Sequence, residues 1–375
     1  MTFEGMTSAG DRVAYHDGKR YLWMLSFVPP LVPTFSYWLY AQTHNALATL
    51  IPALFIFGLI PALDALIGED RHNPPAEVVA AMEADRYYMR LAKLSVPLLW
   101  WNYIATVAFI GSYDLPWWSY LALLLGVGTI DGGALLVGHE LGHKAERIDQ
   151  IFGILANNVV GYAHFRIEHN RGHHTWVATP EDPASARFGE SIYAFARREL
   201  PGAFRRGWSN EAERLARKGL PVWSYRNEIL VGFALTLVVA AALVAVFGWK
   251  VLPFILVHHF MGWYALTQAN YIEHYGLKRD KGADGRYQPV EPRHSWNTNH
   301  IVSNLMTFHL QRHSDHHANP MRPFQSLRDF EDLPRLPSGY NGMFVVAAIP
   351  PLWFRIMNPR TLAWAGGDRN RLNLG

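Results

Sequence analysis

The chain has 375 residues, 18 histidines, no cysteine and a formal net charge of +3. Without cysteine it has no disulfide, thiolate metal site, iron–sulfur centre or thiol nucleophile of its own. Half of the residues are hydrophobic and 17% are charged, below the roughly 25% of soluble proteins, which points to a membrane protein. The pI near 9.0 suggests a basic surface facing lipid or an acidic partner. It does not suggest nucleic acid, because no Lys/Arg-rich block or nucleic-acid motif accompanies it.

A membrane-spanning helix needs about 20 mostly apolar residues. Six stretches meet this requirement, at about 21–41, 46–68, 91–112, 116–138, 228–249 and 251–272. The first follows Lys19 and Arg20 and has no small-residue cleavage site, so a cleaved signal peptide is not expected. Tyr21, Trp23, Trp38 and Tyr40 at its ends read as interfacial anchors, as do Trp117 and Trp118 at the start of the fourth. Asp64 and Asp131 lie within or at the edge of spans, where carboxylates are costly and usually functional or paired. Residues 42–45 and 113–115 carry no Lys or Arg, and the turn between the last two spans has only Lys250. The N-terminus, 69–90, 139–227 and the tail carry nearly all the rest, which makes them cytoplasmic by the positive-inside rule. The apolar stretch 342–357 is short and holds Pro350 and Pro351, so it is expected to lie at the interface or pack on the protein. The expected fold is an all-α integral membrane protein, a single domain over 1–375. It has six transmembrane helices and a cytoplasmic, histidine-rich helical cap at about 139–227 and 273–375.

Within that cap the stretch "HELGH" matches, letter for letter, the H-E-x-x-H of zinc metalloproteases. Two imidazoles one turn apart, His139 and His143, would hold zinc, and Glu140 would be the general base. Three further clusters weigh against stopping there. "EHNRGHH" supplies His169, His173 and His174; "NYIEHYG" supplies His274; "LQRHSDHHA" supplies His313, His316 and His317. Spacings of three and four place side chains on one helical face, so His139/His143, His169/His173 and His313/His316/His317 each read as a local ligand set. All lie on the cytoplasmic side of the expected topology. Nine imidazoles exceed one metal and suit two, each with four or five nitrogens. Imidazole without thiolate suits Fe, Cu, Zn or Ni. The other nine histidines, 16, 44, 72, 164, 258, 259, 294, 300 and 309, are not expected to be ligands. His309 is the nearest exception, one turn before His313.

At these four motifs the sequence resembles the integral-membrane alkane 1-monooxygenases (alkane ω-hydroxylases), and more distantly the membrane fatty-acid desaturases and hydroxylases. The likeness extends through "KRYLWMLS", "LDALIGED", "NNVVGYAHFRIEHNRGHH", "ATPEDPASAR", "SWNTNHIVSN", "SLRDF" and "WAGGD". The "NYIEHYG" marker separates alkane hydroxylases from desaturases. The resemblance implies a non-haem diiron centre, two Fe, ligated by His139, His143, His169, His173, His174, His274, His313, His316 and His317. It implies O₂-dependent hydroxylation of a terminal methyl of a medium-chain n-alkane to a 1-alkanol. It implies electrons from a rubredoxin, itself reduced by a rubredoxin reductase, and residence in a bacterial inner membrane with the metal site on the cytoplasmic side. With no cysteine here, the rubredoxin would be a separate chain or lie beyond residue 375.

An alkane offers no polar handle, so recognition rests on an apolar channel, and oxidation of an unactivated C–H falls to the metal centre instead of a protein acid or base. Gly132, Gly133 and Gly138, near the metal end of the fourth span, could admit a chain or a packed helix. Glu140, Glu168, Glu273 and Asp315 each sit beside a ligand in sequence and are candidates to orient an imidazole through its other nitrogen. Arg197, Arg198, Arg205 and Arg206 form a candidate docking patch for an acidic electron donor. Three other readings remain: a membrane diiron fatty-acid hydroxylase or desaturase, an intramembrane zinc peptidase using "HELGH", and a metal transporter. The peptidase leaves seven histidines unexplained, and a transporter would place its ligands along a mid-membrane path.

Overall fold

Prolines decide where the first long helix begins. In the computed structural model, which describes residues 1–375, α1 (Val28–Thr43) opens with Pro29 and Pro30 in its first turn, where a missing N–H breaks no helical hydrogen bond. Leu22–Phe27 ahead of it forms a 3₁₀ turn. The stretch expected to span at 21–41 is therefore a turn followed by a 16-residue helix, about 24 Å long against a hydrocarbon core of about 30 Å.

Asn45 starts α2 (Ala46–Ile67) by accepting from the Leu47 amide at 3.0 Å. Asp85 caps α3 (Arg86–Ser112) through the Tyr87 amide at 2.9 Å. Pro116 precedes α4 (Trp117–Gly142). Then come α5 (Arg147–Asn157), α6 (Ile192–Ala216), capped by Ser191, and α7 (Glu228–Phe247), capped by Asn227. The last long helix is α8 (Leu252–His274). The only sheet is an N-terminal hairpin, Thr2–Met6 with Arg12–His16.

Four helices, α2, α3, α4 and α7, are long and apolar enough to cross a membrane, and this is a helical membrane protein. Of the six expected spans, α1 is short and α8, though 23 residues long, carries His258, His259, Gln268, Asn270 and Glu273 on an otherwise apolar helix.

The buried centre is α4. A Cβ on Gly132 would stand 2.6 Å from Cβ of Ala265 on α8, so the glycine permits that close approach. Gly138 likewise faces Asn157 and Gly153 of α5, whereas Gly133 meets no atom within 4 Å. Asp131 of α4 accepts from Asn102 Nδ2 of α3 at 2.7 Å and meets His258 Nε2 of α8 at 2.8 Å, joining three helices through buried polar groups. Asp64, at the end of α2, accepts from the Ser303 amide at 3.0 Å. Asp131 is thus paired, whereas Asp64 is held by a backbone amide on one oxygen only. The 342–357 stretch covers parts of two helices, Tyr340–Ala347 and Pro350–Trp364. They bury Met343, Phe344 and Trp353 against Tyr271 and Tyr275.

Candidate metal centre

Because α4 continues past residue 138 to Gly142, it carries His139 in its last turn and leaves His143 at its C-cap. α8 likewise ends on His274. A broken helix supplies the next three histidines: Phe165–Glu168 is α-helical, His169–His173 forms a π-helical turn and His174–Trp176 resumes the α-helix. A short helix, His313–Ala318, brings the last three.

The nine histidines gather into two groups. His139, His143, His169, His174 and His316 form one; His173, His274, His313 and His317 form the other; within each, the candidate ligand atoms lie within 4.8 Å of one another. This divides the expected local sets. In a π turn, residues five apart align where an α-helix would align residues four apart. Accordingly His169 meets His174, Nε2 to Nε2 at 3.0 Å, and His173 turns to the second group. His316 reaches His174 at 3.2 Å, while His313 joins His317 at 2.9 Å and His274 at 3.2 Å.

These nitrogens suit metal ions and little else. The Nε2 atoms of His139, His143 and His173 are buried without a hydrogen-bond partner, an arrangement that is costly unless something binds them. Burial holds the imidazoles of His169, His174, His313, His316 and His317 well below their ordinary pKa, so they are neutral and available as ligands.

Orientation of the rings comes from residues mostly different from those expected. Asp182 accepts from Nδ1 of His173 at 2.9 Å, which leaves Nε2 to face the second group. Arg206 at 2.7 Å and Ser185 Oγ at 2.7 Å hold the carboxylate. Burial works to raise the Asp182 pKa, yet His173 and Arg206 beside it keep it far below the usual range. The carbonyl of His294 lies 3.4 Å from Nδ1 of His274. Of the four carboxylates expected to orient rings, only Glu273 touches one, with Oε2 3.2 Å from Nε2 of His313. Glu140 is paired with Lys144 at 2.9 Å, Glu168 with Arg206 and Asp315 with Arg322 at 2.7 Å. Asp182 sits in the "PEDP" turn, nine residues after His173. Its flanking prolines and distance from the histidine clusters hid the one carboxylate that grips any of the nine rings through Nδ1.

Two arginines of the expected docking patch have partners within the protein. Arg206 is occupied by Glu168 and Asp182, and Arg198 is bound to Glu190 at 2.9 Å and to two backbone carbonyls. Arg197 and Arg205 remain exposed. Among the remaining histidines, none enters either group; His309 meets the Phe324 carbonyl at 3.0 Å.

An apolar cleft of about 870 Å³ leads to this centre between α2, α3, α4 and α8. Ile56, Ile60, Leu99, Gly133, Leu136 and Phe344 lie on its wall, and none of the lining side chains is charged. Beyond Leu136 and Leu310, two smaller cavities continue to His139 and His316, and to His169 and His313. Phe308 and His309, both at φ +51°, form a strained bend beside that passage, a conformation costing on the order of 1–3 kcal/mol per residue.

The fatty acid desaturase family model matches residues 115–346. An alkane 1-monooxygenase of Ectopseudomonas oleovorans is 51% identical over 96% of this chain and 90% of its own length. Alkane 1-monooxygenase 1 of Alcanivorax borkumensis is 50% identical over 98% and 91%. The hydroxylase component of a xylene/toluene monooxygenase from Pseudomonas putida is 29% identical over 61% of each chain. With a metal-ready pair of imidazole groups at the end of an uncharged cleft, and half its residues shared with such relatives along nearly its whole length, this chain belongs to the alkane 1-monooxygenases, a branch of the fatty acid desaturase family.

Proposed function

We propose that this protein uses O₂ to hydroxylate the terminal methyl of a medium-chain n-alkane, with two electrons from reduced rubredoxin. The balance is R–CH₃ + O₂ + 2e⁻ + 2H⁺ → R–CH₂OH + H₂O. The observation that carries this reading is an uncharged apolar cleft ending at two imidazole groups. Burying a methylene contributes about 0.8 kcal/mol, so an eight-carbon chain gains about 6 kcal/mol without any polar contact.

The five histidines 139, 143, 169, 174 and 316 would hold one iron, and 173, 274, 313 and 317 the other. When bound, the irons supply the activation of O₂ and the oxidation of the C–H bond. The protein's residues do the rest. Leu136 and Leu310 narrow the end of the cleft, so that the methyl terminus arrives first. Asp182 fixes the ring of His173, and Glu273 offers a carboxylate oxygen beside the four-nitrogen group. The surrounding apolar wall excludes water from the reaction.

Two alternatives are disfavoured by specific contacts. An acyl head group finds no cation on the cleft wall, and Glu140, the general base of a peptidase, is tied to Lys144. We read the fold as one domain over 1–375, with six spans including α1 and α8. The histidine cap would lie on the cytoplasmic side of a bacterial inner membrane, supported by the distribution of Lys and Arg.

Metal analysis of purified protein, combined with gas chromatography of products from n-octane, O₂ and reduced rubredoxin, tests the proposal. It expects two irons per chain and 1-octanol. One zinc per chain with no alkanol refutes it.

A further inference from the structure

After His274 the chain leaves α8 and forms a second, open cleft of about 500 Å³ with the Pro292–His294 turn and residues near the C-terminus. This cleft lies against the metal centre. His294 lines it, and the carbonyl of the same residue stands 3.4 Å from Nδ1 of His274, a member of the four-nitrogen group.

Its rim carries cations that contact no carboxylate. Lys278 donates to the Asn370 carbonyl at 2.9 Å, Arg293 lies over the Trp364 ring at 6.0 Å, and Arg369 over Phe188 at 5.8 Å. Arg371 lines the same cleft. Two acids are nearby: Asp280, exposed in the lining, and Asp368, which accepts from the Asn370 amide at 2.9 Å. Among the residues that line the cleft, Lys278, Arg293 and Arg371 are cations and Asp280 is the one carboxylate. A different cleft reaches His143, but three of its four cations are already neutralised, Lys144 by Glu140, Arg166 by Glu228 and Arg214 by Glu211, which leaves Arg171 as its one cation without a carboxylate.

We propose that the Lys278–Arg293–Arg371 cleft is the docking surface for the electron donor, a small redox protein with an acidic face around its own metal. Electrons enter through the contact between His294 and His274, at the four-nitrogen group. This rests on the reading that the reaction takes its electrons from a protein. The donor is oxidised by one electron per encounter, and two encounters supply one turnover. Charge complementarity at such a rim governs encounter rate and salt sensitivity, and exposed charges are screened beyond about 8 Å at physiological ionic strength.

The test uses the full chain in nanodiscs with n-octane, comparing turnover driven by reduced rubredoxin with turnover driven by dithionite. Lys278→Glu/Arg293→Glu/Arg371→Glu is expected to lower the rubredoxin-to-dithionite ratio roughly tenfold and to flatten its dependence on salt. Arg197→Glu/Arg205→Glu, on the exposed arginines of α6, is expected to keep the native ratio. A triple variant whose ratio and salt dependence match the native protein overturns the proposal. So does a loss confined to the α6 variant, or an equal fall with both reductants, which marks damage to the centre. If the native protein yields no 1-octanol with either reductant, the function itself fails, and that outcome is separate from any change in the ratio.

Discussion

Replacing Asp182 isolates what positions a metal ligand. Its carboxylate and the His173 ring are both almost wholly buried, at 0% and 1% exposure, and meet at 2.9 Å. Removing the partner of a ligating histidine commonly costs 10–100-fold in metal affinity or activity, about 1.4–2.7 kcal/mol. Asp182→Ala belongs at the upper end, because it frees the His173 ring and also leaves Arg206 without one of its two carboxylates. Asp182→Asn, which keeps an acceptor oxygen, belongs at the lower end. The assay is competitive chelation with metal counting: the ion held by His173, His274, His313 and His317 should dissociate first, taking the content from two per chain towards one. Ser185→Ala removes a 2.7 Å contact to Asp182 but not the His173 bond, and should retain both ions. If Asp182→Ala holds two ions with native affinity, the ring is positioned by something else and the reasoning fails.

Gly133 lines the cleft, and a Cβ there would meet no atom within 4 Å. Gly133→Val should therefore shorten the alkanes accepted, with discrimination of about 1–3 kcal/mol per methylene; a product profile unchanged across an alkane series would show that substrate does not pass this wall. Glu199 of α6, hydrogen-bonded to Thr267 at 2.7 Å, has a pKa raised from 4.5 to about 7, chiefly by burial, with Glu168 adding repulsion. The folded state retains its proton, so this contribution to stability is complete below the unfolded pKa and is lost as pH rises through 7, on the order of 3 kcal/mol in all. Glu199→Gln should melt with a smaller loss between pH 5 and pH 8 than the native protein, and an identical pH dependence would refute the assignment.

What could be read from the sequence was local. Ligand identity depends on residue type and spacing, so "HELGH" and its three companion clusters marked all nine histidines that the structure gathers. Partition between the two groups was hidden, because it depends on the π turn at His169–His173. Nothing in "HNRGH" announces five-residue periodicity, and an α-helix would have kept His169 and His173 on one face. Asp182 went unnoticed, and Arg206 was grouped with a docking patch, for a related reason. An acid distant in sequence from the histidines and an arginine in a basic run acquire their roles only when the loop at 180–183 folds against α6. The shape of the first expected span was also hidden: Pro29 and Pro30 start its helix late, and the preceding hydrophobic residues pack as a 3₁₀ turn with Trp23 buried.

The "HELGH" stretch shows how one motif changes meaning with its surroundings. In a peptidase, Glu140 would face an open metal position and activate water. Here its carboxylate is paired with Lys144 and accepts from the Phe324 amide at 3.3 Å. Instead, His139 and His143 share their group with three imidazoles from two other segments. The extensions of the apolar cleft reach His139, His316 and His169 of the five-nitrogen group, but only His313 of the other. His274, by contrast, lies against the basic cleft through His294. The centre therefore has two faces, with the apolar cleft opening mainly onto the five-nitrogen group and the basic cleft lying against the four-nitrogen group. That division follows from where α4 and α8 end. α4 carries its histidines to the bottom of the apolar cleft, and α8 places its terminal His274 where the chain turns out to the basic surface.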